Sequence, residues 1–290
     1  MEPQKSSLIY LIKRSIFRLY KFLLNIFFKL TPFFKSANKL AVNFAERIHL
    51  VYKSKTKFGD ILFSIPNGLT LWRAETFLTK EPDTIEWMNS FQKNDILFDV
   101  GANVGLYSLY AAKKGSKVFA FEAESQNYAL LNRNVYLNKL DDNLKAYNIA
   151  IASATKVDVL YVNEMTIGGA LNNFGDNIDL NKKKFNQSYK QGMLAISIDE
   201  LIEKYLFPVP QHLKIDVDGL EYEIIQGAKS TLANPKLKSV LIELNTSLEC
   251  DIEVIKTLEN LGFNCTSKLQ PPFCVGSKFE NIFNYVFVRA

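Results

Sequence analysis

From Asp95 onward the chain alternates short apolar runs with helical patterns, and this alternation constrains the fold more than any other feature. The runs that predict strands are residues 95–100, 117–122, 144–149, 212–217, 238–244 and 283–289. The helical patterns between them cover residues 105–114, 125–139, 220–233 and 251–261. Because strands that alternate with helices of this length form a doubly wound, mostly parallel sheet, the sequence predicts an α/β fold. In such folds, ligands bind beyond the carboxyl ends of the strands.

The first of these strands runs into a glycine turn, ILFDVGANVGLYS, that spans Ile96 to Ser108. Gly101 permits a tight turn and a close approach of the backbone to a ligand, and Asn103 tolerates left-handed geometry. Glu122 ends the next strand, 21 residues after Gly101, where a carboxylate can hold ribose hydroxyls. The pattern predicts a nucleoside-containing ligand, either a nicotinamide or flavin dinucleotide or S-adenosylmethionine.

Two features of the turn favour S-adenosylmethionine over a dinucleotide. The turn departs from G-x-G-x-x-G, because Asn103 replaces the second glycine and Leu106 occupies the last position. A pyrophosphate needs that second glycine for backbone approach. The carboxylate of Asp99, just before the turn, would repel a pyrophosphate but attract a cationic amino group. S-adenosylmethionine carries an ammonium and a sulfonium, so we expect the methyl donor to bind here.

The turn and two later segments together resemble the FkbM family of S-adenosylmethionine-dependent methyltransferases. The segments are VFAFEAESQNYALLNRNVYLN at 118–138 and LKIDVDGLEYEIIQGAKSTL at 213–232, and the similarity runs from about Arg73 to the C-terminus. The resemblance implies a class I methyltransferase (Rossmann-like) fold, a doubly wound sheet that is mostly parallel with an antiparallel C-terminal strand. Family members of assigned function are mostly O-methyltransferases that act on hydroxyls of sugars or polyketides.

The resemblance also implies which residues form the donor site. They are Asp99, Gly101, Asn103, Gly105, Glu122, Asn148 and Asp216. Glu122 is the expected ribose contact, and the turn from Asp99 to Gly105 is the expected donor loop. One departure is Asp218, because the family more often has glutamate at that position.

Carboxylates at the ends of two later strands predict the catalytic groups. Asp216 and Asp218 close the strand at 212–217, which neighbours the first strand in a methyltransferase-like strand order. Both would stand beside the donor methyl group, where a carboxylate can orient the acceptor hydroxyl or accept its proton. Asp216, Glu243 and Asn245 also form a candidate Mg²⁺ or Ca²⁺ site, because all three offer oxygen ligands from adjacent strand ends. The alternative is that Glu243 and Asn245 only cap and connect.

Residues 6–30 have the pattern of an amphipathic helix with a basic face. Arg14, Arg18, Lys21 and Lys29 share one face, and leucines and isoleucines share the other. No uncharged run approaches the roughly 20 residues that a membrane-spanning helix needs. Eight of the chain's 35 basic residues lie in the first 40 positions, against one of its 30 acidic residues. We expect an interfacial helix on an anionic, cytoplasmic face of the inner membrane, with packing on protein as the alternative.

The rest of the chain is close to electrically neutral, which argues against nucleic acid as a partner. Three cysteines without C-x-x-C spacing indicate a reduced, cytoplasmic compartment rather than a disulfide scaffold or zinc site. We predict a helical extension over 1–45, a cap region over 46–92 and a methyltransferase domain over 93–290. In the cap region we expect a hairpin over 58–72, with Asn67-Gly68 as its turn, and a helix from Pro82 to Phe91.

The sequence therefore predicts an enzyme that moves a methyl group from S-adenosylmethionine to a hydroxyl of a saccharide or a lipid-linked glycan. Two alternatives stay open: a nucleotide-dependent oxidoreductase, and a membrane-attached binding protein with the same fold and no catalysis. A small-molecule or glycan acceptor would contact residues 46–92 and 163–192, which are the least patterned regions.

Overall fold

The computed structural model describes residues 35–178, 181–272, 274–277 and 279–289, together with isolated positions between 15 and 29. The chain divides into two compact units, Met1–Leu50 and Val51–Ala290. In the first unit, helix α1 covers Lys35–Arg47. The helix predicted over 6–30 lies mostly outside the described residues. Within the described part of the chain, no helix is long and apolar enough to cross a membrane.

The second unit is built around a seven-stranded sheet. Its strands are β3 (Ile96–Val100), β4 (Lys117–Phe121), β5 (Leu144–Tyr147), β10 (His212–Ile215), β11 (Ser239–Asn245), β12 (Phe263–Leu269) and β13 (Ile282–Arg289). Their order across the sheet is β12-β13-β11-β10-β3-β4-β5. β13 runs antiparallel to both of its neighbours, and the other pairs are parallel. This confirms the predicted methyltransferase-like sheet and places its switch point between β3 and β10.

Helices cover both faces of this sheet. The first group is α2 (Gly68–Lys80), α3 (Pro82–Asn89), α4 (Leu106–Lys114) and α5 (Ser125–Asn138). The second group is α6 (Ile198–Glu203), α7 (Glu221–Gln226), α8 (Lys229–Ala233) and α9 (Glu249–Asn260). Side chains alternate along each strand, so Leu97 packs in the core of the first group while Phe98 packs in the core of the second. Burial on both faces explains the near-continuous apolar runs of the parallel strands.

The hairpin precedes its predicted position. β1 (Val51–Thr56) pairs antiparallel with β2 (Gly59–Ser64), so the turn lies at residues 57–58. The prediction of a turn at Asn67-Gly68 was wrong, because Asn67 caps the N-terminus of α2. Its side chain accepts a hydrogen bond from Thr70 N at 2.8 Å, and Thr70 Oγ1 accepts one from Asn67 N at 3.3 Å. Asparagine is favoured at both turns and N-caps, so its presence alone does not separate them.

A second sheet of four strands packs beside the first. It consists of β6 (Ala150–Ile151), β7 (Lys156–Val162), β8 (Asn173–Phe174) and β9 (Tyr189–Ile196), in the order β6-β9-β7-β8. β9 ends at Ile196, because Ser197 caps α6. The helix predicted over 220–233 is two short helices, α7 and α8. Sequence patterns did not predict α6 or β12.

Candidate active site

A cavity of about 290 Å³ opens where β3 and β10 end, at the switch point of the large sheet. α2 forms one wall, and a second wall comes from the loop over 163–172, here named the crossover loop. Among the described residues, its charged lining is two basic and six acidic side chains: Arg73, Lys80, Glu81, Glu122, Glu124, Asp216, Asp218 and Glu243. The excess of acidic groups favours a ligand with positive charge.

The predicted donor loop follows β3 and is held tightly against β10. Gly101 has φ +80°, and a Cβ there would lie 1.8 Å from the carbonyl oxygen of Asp216, so only glycine fits. Asn103 has φ 51°, in the left-handed region expected of it. Gly101 and Asn103 line the cavity. Gly105 instead begins α4, where a Cβ would lie 2.2 Å from Leu131 Cδ1, so it supports the packing of the loop.

Glu122 lies at the end of β4 and connects this loop to the cavity. Its Oε2 accepts a hydrogen bond from Asn103 N at 2.7 Å, and its Oε1 accepts one from Glu124 N at 2.8 Å. Burial raises the pKa of Glu122 to about 7, although these two bonds oppose the rise. Asn148 does not line the cavity: its Nδ2 donates to the carbonyl oxygens of Glu122 and Ala123 at 2.8 and 2.9 Å. Asn148 thus holds the backbone that presents Glu122.

Asp99 does not occupy the position that the sequence predicted. The side chain is only 1% exposed, lies beneath the rim of the sheet and does not line the cavity. Ser108 Oγ donates to its Oδ2 at 2.5 Å, and Lys214 Nζ lies 3.6 Å from its Oδ1. Asp99 is the penultimate residue of β3, and its side chain points to the face covered by α4. Asp99 is connected to the cavity only indirectly, through Lys214.

Lys214 joins Asp99 to the cavity. This lysine side chain is 2% exposed, and its Nζ lies 3.0 Å from Asp216 Oδ2. Burial by itself would lower the pKa of Lys214, but Asp216 and Asp99 outweigh burial and raise it above the ordinary value. Burial also works against ionisation of Asp216, yet Lys214 and Lys80 hold the pKa of Asp216 below its usual value. Asp216 is therefore a fixed negative charge in the cavity wall.

Two further carboxyls beside Asp216 are pushed towards the neutral form. Burial and the charge of Asp216 raise the pKa of Asp218 to about 6, although Leu171 N donates to its Oδ2 at 2.6 Å. Burial, Asp216 and Asp218 raise the pKa of Glu243 well above its ordinary value. At neutral pH we expect Asp216 and most of Asp218 to be ionised, whereas the raised pKa of Glu243 favours its neutral form.

The structure does not support the candidate metal site. Asp216 and Glu243 line the cavity, but Asn245 does not. Asn245 Oδ1 accepts hydrogen bonds from Ser247 N at 3.0 Å and Ser247 Oγ at 2.6 Å, which closes the turn after β11. Across the described residues, no group of three or more His, Cys, Asp or Glu side chains is arranged to hold a metal ion. Asn245 therefore has the capping role that was the alternative.

The wall made by α2 and the crossover loop lies within residues 46–92 and 163–192, where acceptor contacts were expected, but the sequence did not predict the contacts that hold this wall together. Asn67 Nδ2 donates to Ile167 O at 2.9 Å, and Arg73 Nε donates to Gly168 O at 2.7 Å. Asn103 and Asn127 both donate from Nδ2 to Gly169 O, at 2.7 and 3.0 Å. Side chains distant in sequence thus hold the loop over the donor turn. The signal that was available is the N-cap at Asn67, which would have revealed α2.

Comparison with known protein families indicates the class of reaction. Residues 99–265, more than half of the chain, match the profile of the methyltransferase FkbM domain. The chain belongs to the FkbM methyltransferase family. The sequence predicted either a dinucleotide or S-adenosylmethionine as the ligand of the turn. The match favours S-adenosylmethionine, because this family uses it as methyl donor. The glycine-only approach at Gly101 and the acidic lining of the cavity fit that cationic donor.

Two named methyltransferases are similar in sequence to this FkbM methyltransferase. The hexuronic acid methyltransferase AglP of Haloferax volcanii is 24% identical over 188 residues, which are 64% of this chain and 71% of the relative. The methyltransferase sdnD of Sordaria araneosa is 26% identical over 204 residues, which are 60% of this chain and 75% of the relative. A solved FkbM methyltransferase from Methylobacillus flagellatus aligns with a TM-score of 0.45 and 13% identity, covering 76% of this chain and 56% of that one.

Proposed function

We propose that this protein transfers the methyl group of S-adenosylmethionine to a hydroxyl oxygen of a saccharide or a lipid-linked glycan. The observation that carries the proposal is the position of Asp216 and Asp218 in an acidic cavity beside the glycine-only turn at Gly101. A hexuronic acid methyltransferase among the relatives supports a saccharide acceptor. Trp72, 41% exposed and part of the lining, offers an aromatic face on which a sugar ring can stack.

The donor would be held by the turn and by the end of β4. Asn103 and Gly101 line the cavity floor, and Glu122 has lone pairs left to accept bonds from the ribose hydroxyls. The carboxylate of Asp216 is held in a fixed position by its pairing with Lys214. In its ionised form it would lie near the donor's positive charge. When bound, S-adenosylmethionine supplies an electrophilic methyl group.

Asp218 is suited to act on the acceptor. Its pKa of about 6 is close to neutrality, where a general base works best. As the acceptor oxygen bonds to the methyl carbon, the bond from that carbon to sulfur would break, S-adenosylhomocysteine would leave, and the hydroxyl proton would pass to the ionised carboxylate of Asp218. The bond from Leu171 N to Oδ2 keeps this carboxylate oriented. In-line alignment of acceptor and methyl group by the cavity walls would supply much of the rate.

The test uses the full-length protein and a labelled donor. We expect calorimetric titration to show binding of S-adenosylhomocysteine and not of NADH, and we expect labelled methyl groups on neutral or acidic saccharides. An Asp218→Asn variant should keep S-adenosylhomocysteine binding and lose most of the transfer. Binding without transfer to any saccharide, together with transfer to a nitrogen nucleophile, would refute the proposal of O-methylation.

We also propose that residues 6–30 lie on an anionic, cytoplasmic membrane surface. The basic positions of this segment support the proposal, as do four described side chains that are both apolar and exposed: Leu19, Phe22, Leu23 and Ile26. Juxtamembrane cations each contribute about 1 kcal/mol on anionic lipid. Replacing Arg14, Arg18, Lys21 and Lys29 by Gln should reduce co-sedimentation with anionic vesicles. Replacing the exposed Lys139, Lys229, Lys236 and Lys256 by Gln should not, and equal binding of both variants would refute the anchor.

A further inference from the structure

Among the described residues, Arg73 is held through one of its guanidinium nitrogens, Nε. It projects from α2, whose neighbouring residues Ala74 and Phe77 are buried in the core, and it lines the cavity. Its Nε donates to Gly168 O at 2.7 Å, which orients the plane of the guanidinium group. Within the described ranges of the chain, Nη1 and Nη2 of Arg73 have neither a hydrogen bond nor an ion pair. Two parallel N–H donors are thus held in place without an acceptor.

Arg289 shows what a structural arginine does in the same protein. Its Nε donates to Leu237 O at 2.9 Å, its Nη1 to Leu261 O at 2.8 Å and its Nη2 to Leu232 O at 2.5 Å. All three nitrogens therefore have main-chain partners, and the side chain joins three segments. Among the described residues, Arg73 has only the contact through Nε, so most of its hydrogen-bonding capacity is not used for structural support.

Within the part of the chain that the structure describes, no carboxylate forms an ion pair with Arg73. Lys80, the other cation of the cavity lining, pairs with Glu81 at 2.9 Å. Asp216 is paired with Lys214 at 3.0 Å. Arg73 lies close enough to lower the pKa of Asp216 and Asp218, but after larger effects from other groups. The free edge of its guanidinium group is the side that remains for a ligand.

We propose that Arg73 binds a carboxylate in the cavity through a two-point ion pair from Nη1 and Nη2. Planar guanidinium and carboxylate groups match in this way, and the pair gives orientation as well as affinity. The inference rests on the proposed function, which supplies two sources of that carboxylate. One is the methionine part of the donor, and the other is an acidic saccharide acceptor.

The test compares Arg73→Gln with wild type on two donor analogues. S-adenosylhomocysteine carries the amino acid carboxylate, whereas 5′-methylthioadenosine keeps the nucleoside and lacks it. If Arg73 binds the donor carboxylate, we expect the variant to bind S-adenosylhomocysteine at least about ten-fold more weakly. Its affinity for 5′-methylthioadenosine should stay within two-fold of wild type. Arg133→Gln, at an exposed arginine of α5, is the matched control and should change neither affinity.

A second arm tests the acceptor source with protein saturated by S-adenosylhomocysteine. If the carboxylate belongs to the acceptor, wild type should bind D-glucuronate more tightly than D-glucose, and Arg73→Gln should lose that difference. Equal weakening of both donor analogues would indicate a loosened crossover loop and would overturn the proposal, as would no change in either arm. Failure of wild type to bind S-adenosylhomocysteine would instead overturn the proposed function itself.

Discussion

The neighbouring strands β3 and β10 carry buried charged groups at both of their ends, and the two ends differ in how these groups are paired. At the amino end, His212 Nε2 lies 2.9 Å from Asp95 Oδ2, and His212 Nδ1 lies 2.8 Å from Ser239 Oγ. Trp87 Nε1 donates to the same hydroxyl at 2.7 Å, and Lys238 Nζ lies 3.0 Å from Asp95 Oδ1. Both ring nitrogens and both carboxylate oxygens have partners there.

The carboxyl end uses similar residue types with the opposite result. One buried lysine, Lys214, lies within ion-pair distance of both Asp99 and Asp216. The neighbouring carboxyls of Asp218 and Glu243 have raised pKa values. The carboxyls outnumber their cations, and the group opens into the cavity. The comparison teaches that a fully paired end stabilises the fold, whereas an incompletely paired end retains charge for a ligand.

The largest expected effect is on turnover at the carboxyl end. Asp216→Asn keeps the shape of the side chain and removes the charge that, in the proposed mechanism, positions the cationic donor against the acceptor, so we expect methyl transfer to fall by about 100-fold or more. Binding of S-adenosylhomocysteine, which lacks the sulfonium charge, should change little. Initial rates with labelled donor and calorimetric titration measure the two effects. Asp60→Asn, at an exposed carboxylate, is the control, and an Asp216→Asn variant with wild-type turnover would make Asp216 structural.

At the amino end we expect a pH-dependent loss of stability instead. Burial lowers the pKa of His212 from 6.5 to about 4, so below pH 6.5 the unfolded chain binds a proton that the folded chain does not. Stability from His212 is therefore present above pH 6.5 and lost as the pH falls to about 4. The loss amounts to about 3 kcal/mol, since each pKa unit corresponds to about 1.4 kcal/mol.

Urea unfolding at pH 7 and pH 4 checks this expectation. The stability difference between wild type and His212→Gln should shrink as the pH falls, because only wild type loses the contribution of His212. His49→Gln, at an exposed histidine, should follow the pH dependence of wild type. A constant difference between wild type and His212→Gln at the two pH values would contradict the prediction.

A smaller effect is expected for Glu122, a buried residue of the cavity lining. Glu122→Gln should weaken S-adenosylhomocysteine binding by about 1–3 kcal/mol, the range for removing a buried hydrogen-bonding group. Because the pKa of Glu122 is raised to about 7, its ionised form increases with pH. Wild-type affinity should therefore rise between pH 6 and pH 8. Titrations across this range should show no such rise in the variant, and a parallel rise would remove Glu122 from the ribose contact.

The smallest effect should come from the outer ion pair of the amino end. Lys238 is 51% exposed and approaches Asp95 from the solvent side. Lys238→Ala should therefore lower the free energy of unfolding by less than about 1 kcal/mol, the usual worth of an exposed pair. Urea unfolding measures the change. A loss as large as that from His212→Gln at pH 7 would show that the amino end depends on its outer pair rather than on its buried groups.

Much of the donor side of the site could be predicted because its signals are local. Gly101, Asn103 and Glu122 lie within one strand–turn–helix–strand unit, and backbone geometry limits which residues such a turn accepts. Arg73 escaped prediction because its position depends on α2, whose N-cap at Asn67 was interpreted as a hairpin turn. The partners of the crossover loop escaped prediction because they are side chains up to 100 residues away, as with Asn67 and Ile167.

The sequence by itself determined the alternation of the main parallel strands with helices from Asp95 onward, the turn after β3 and the presence of carboxylates at two strand ends. Only the tertiary structure decided how those carboxylates are used. Asp99 and Asp216 look equivalent in sequence, since each ends an apolar run. In the folded protein Asp99 is buried, whereas Asp216 faces the cavity. The burial of each side chain depends on which strand and helix pack beside it. The ionisation of Asp216, Asp218 and Glu243 likewise depends on charges brought together from distant segments.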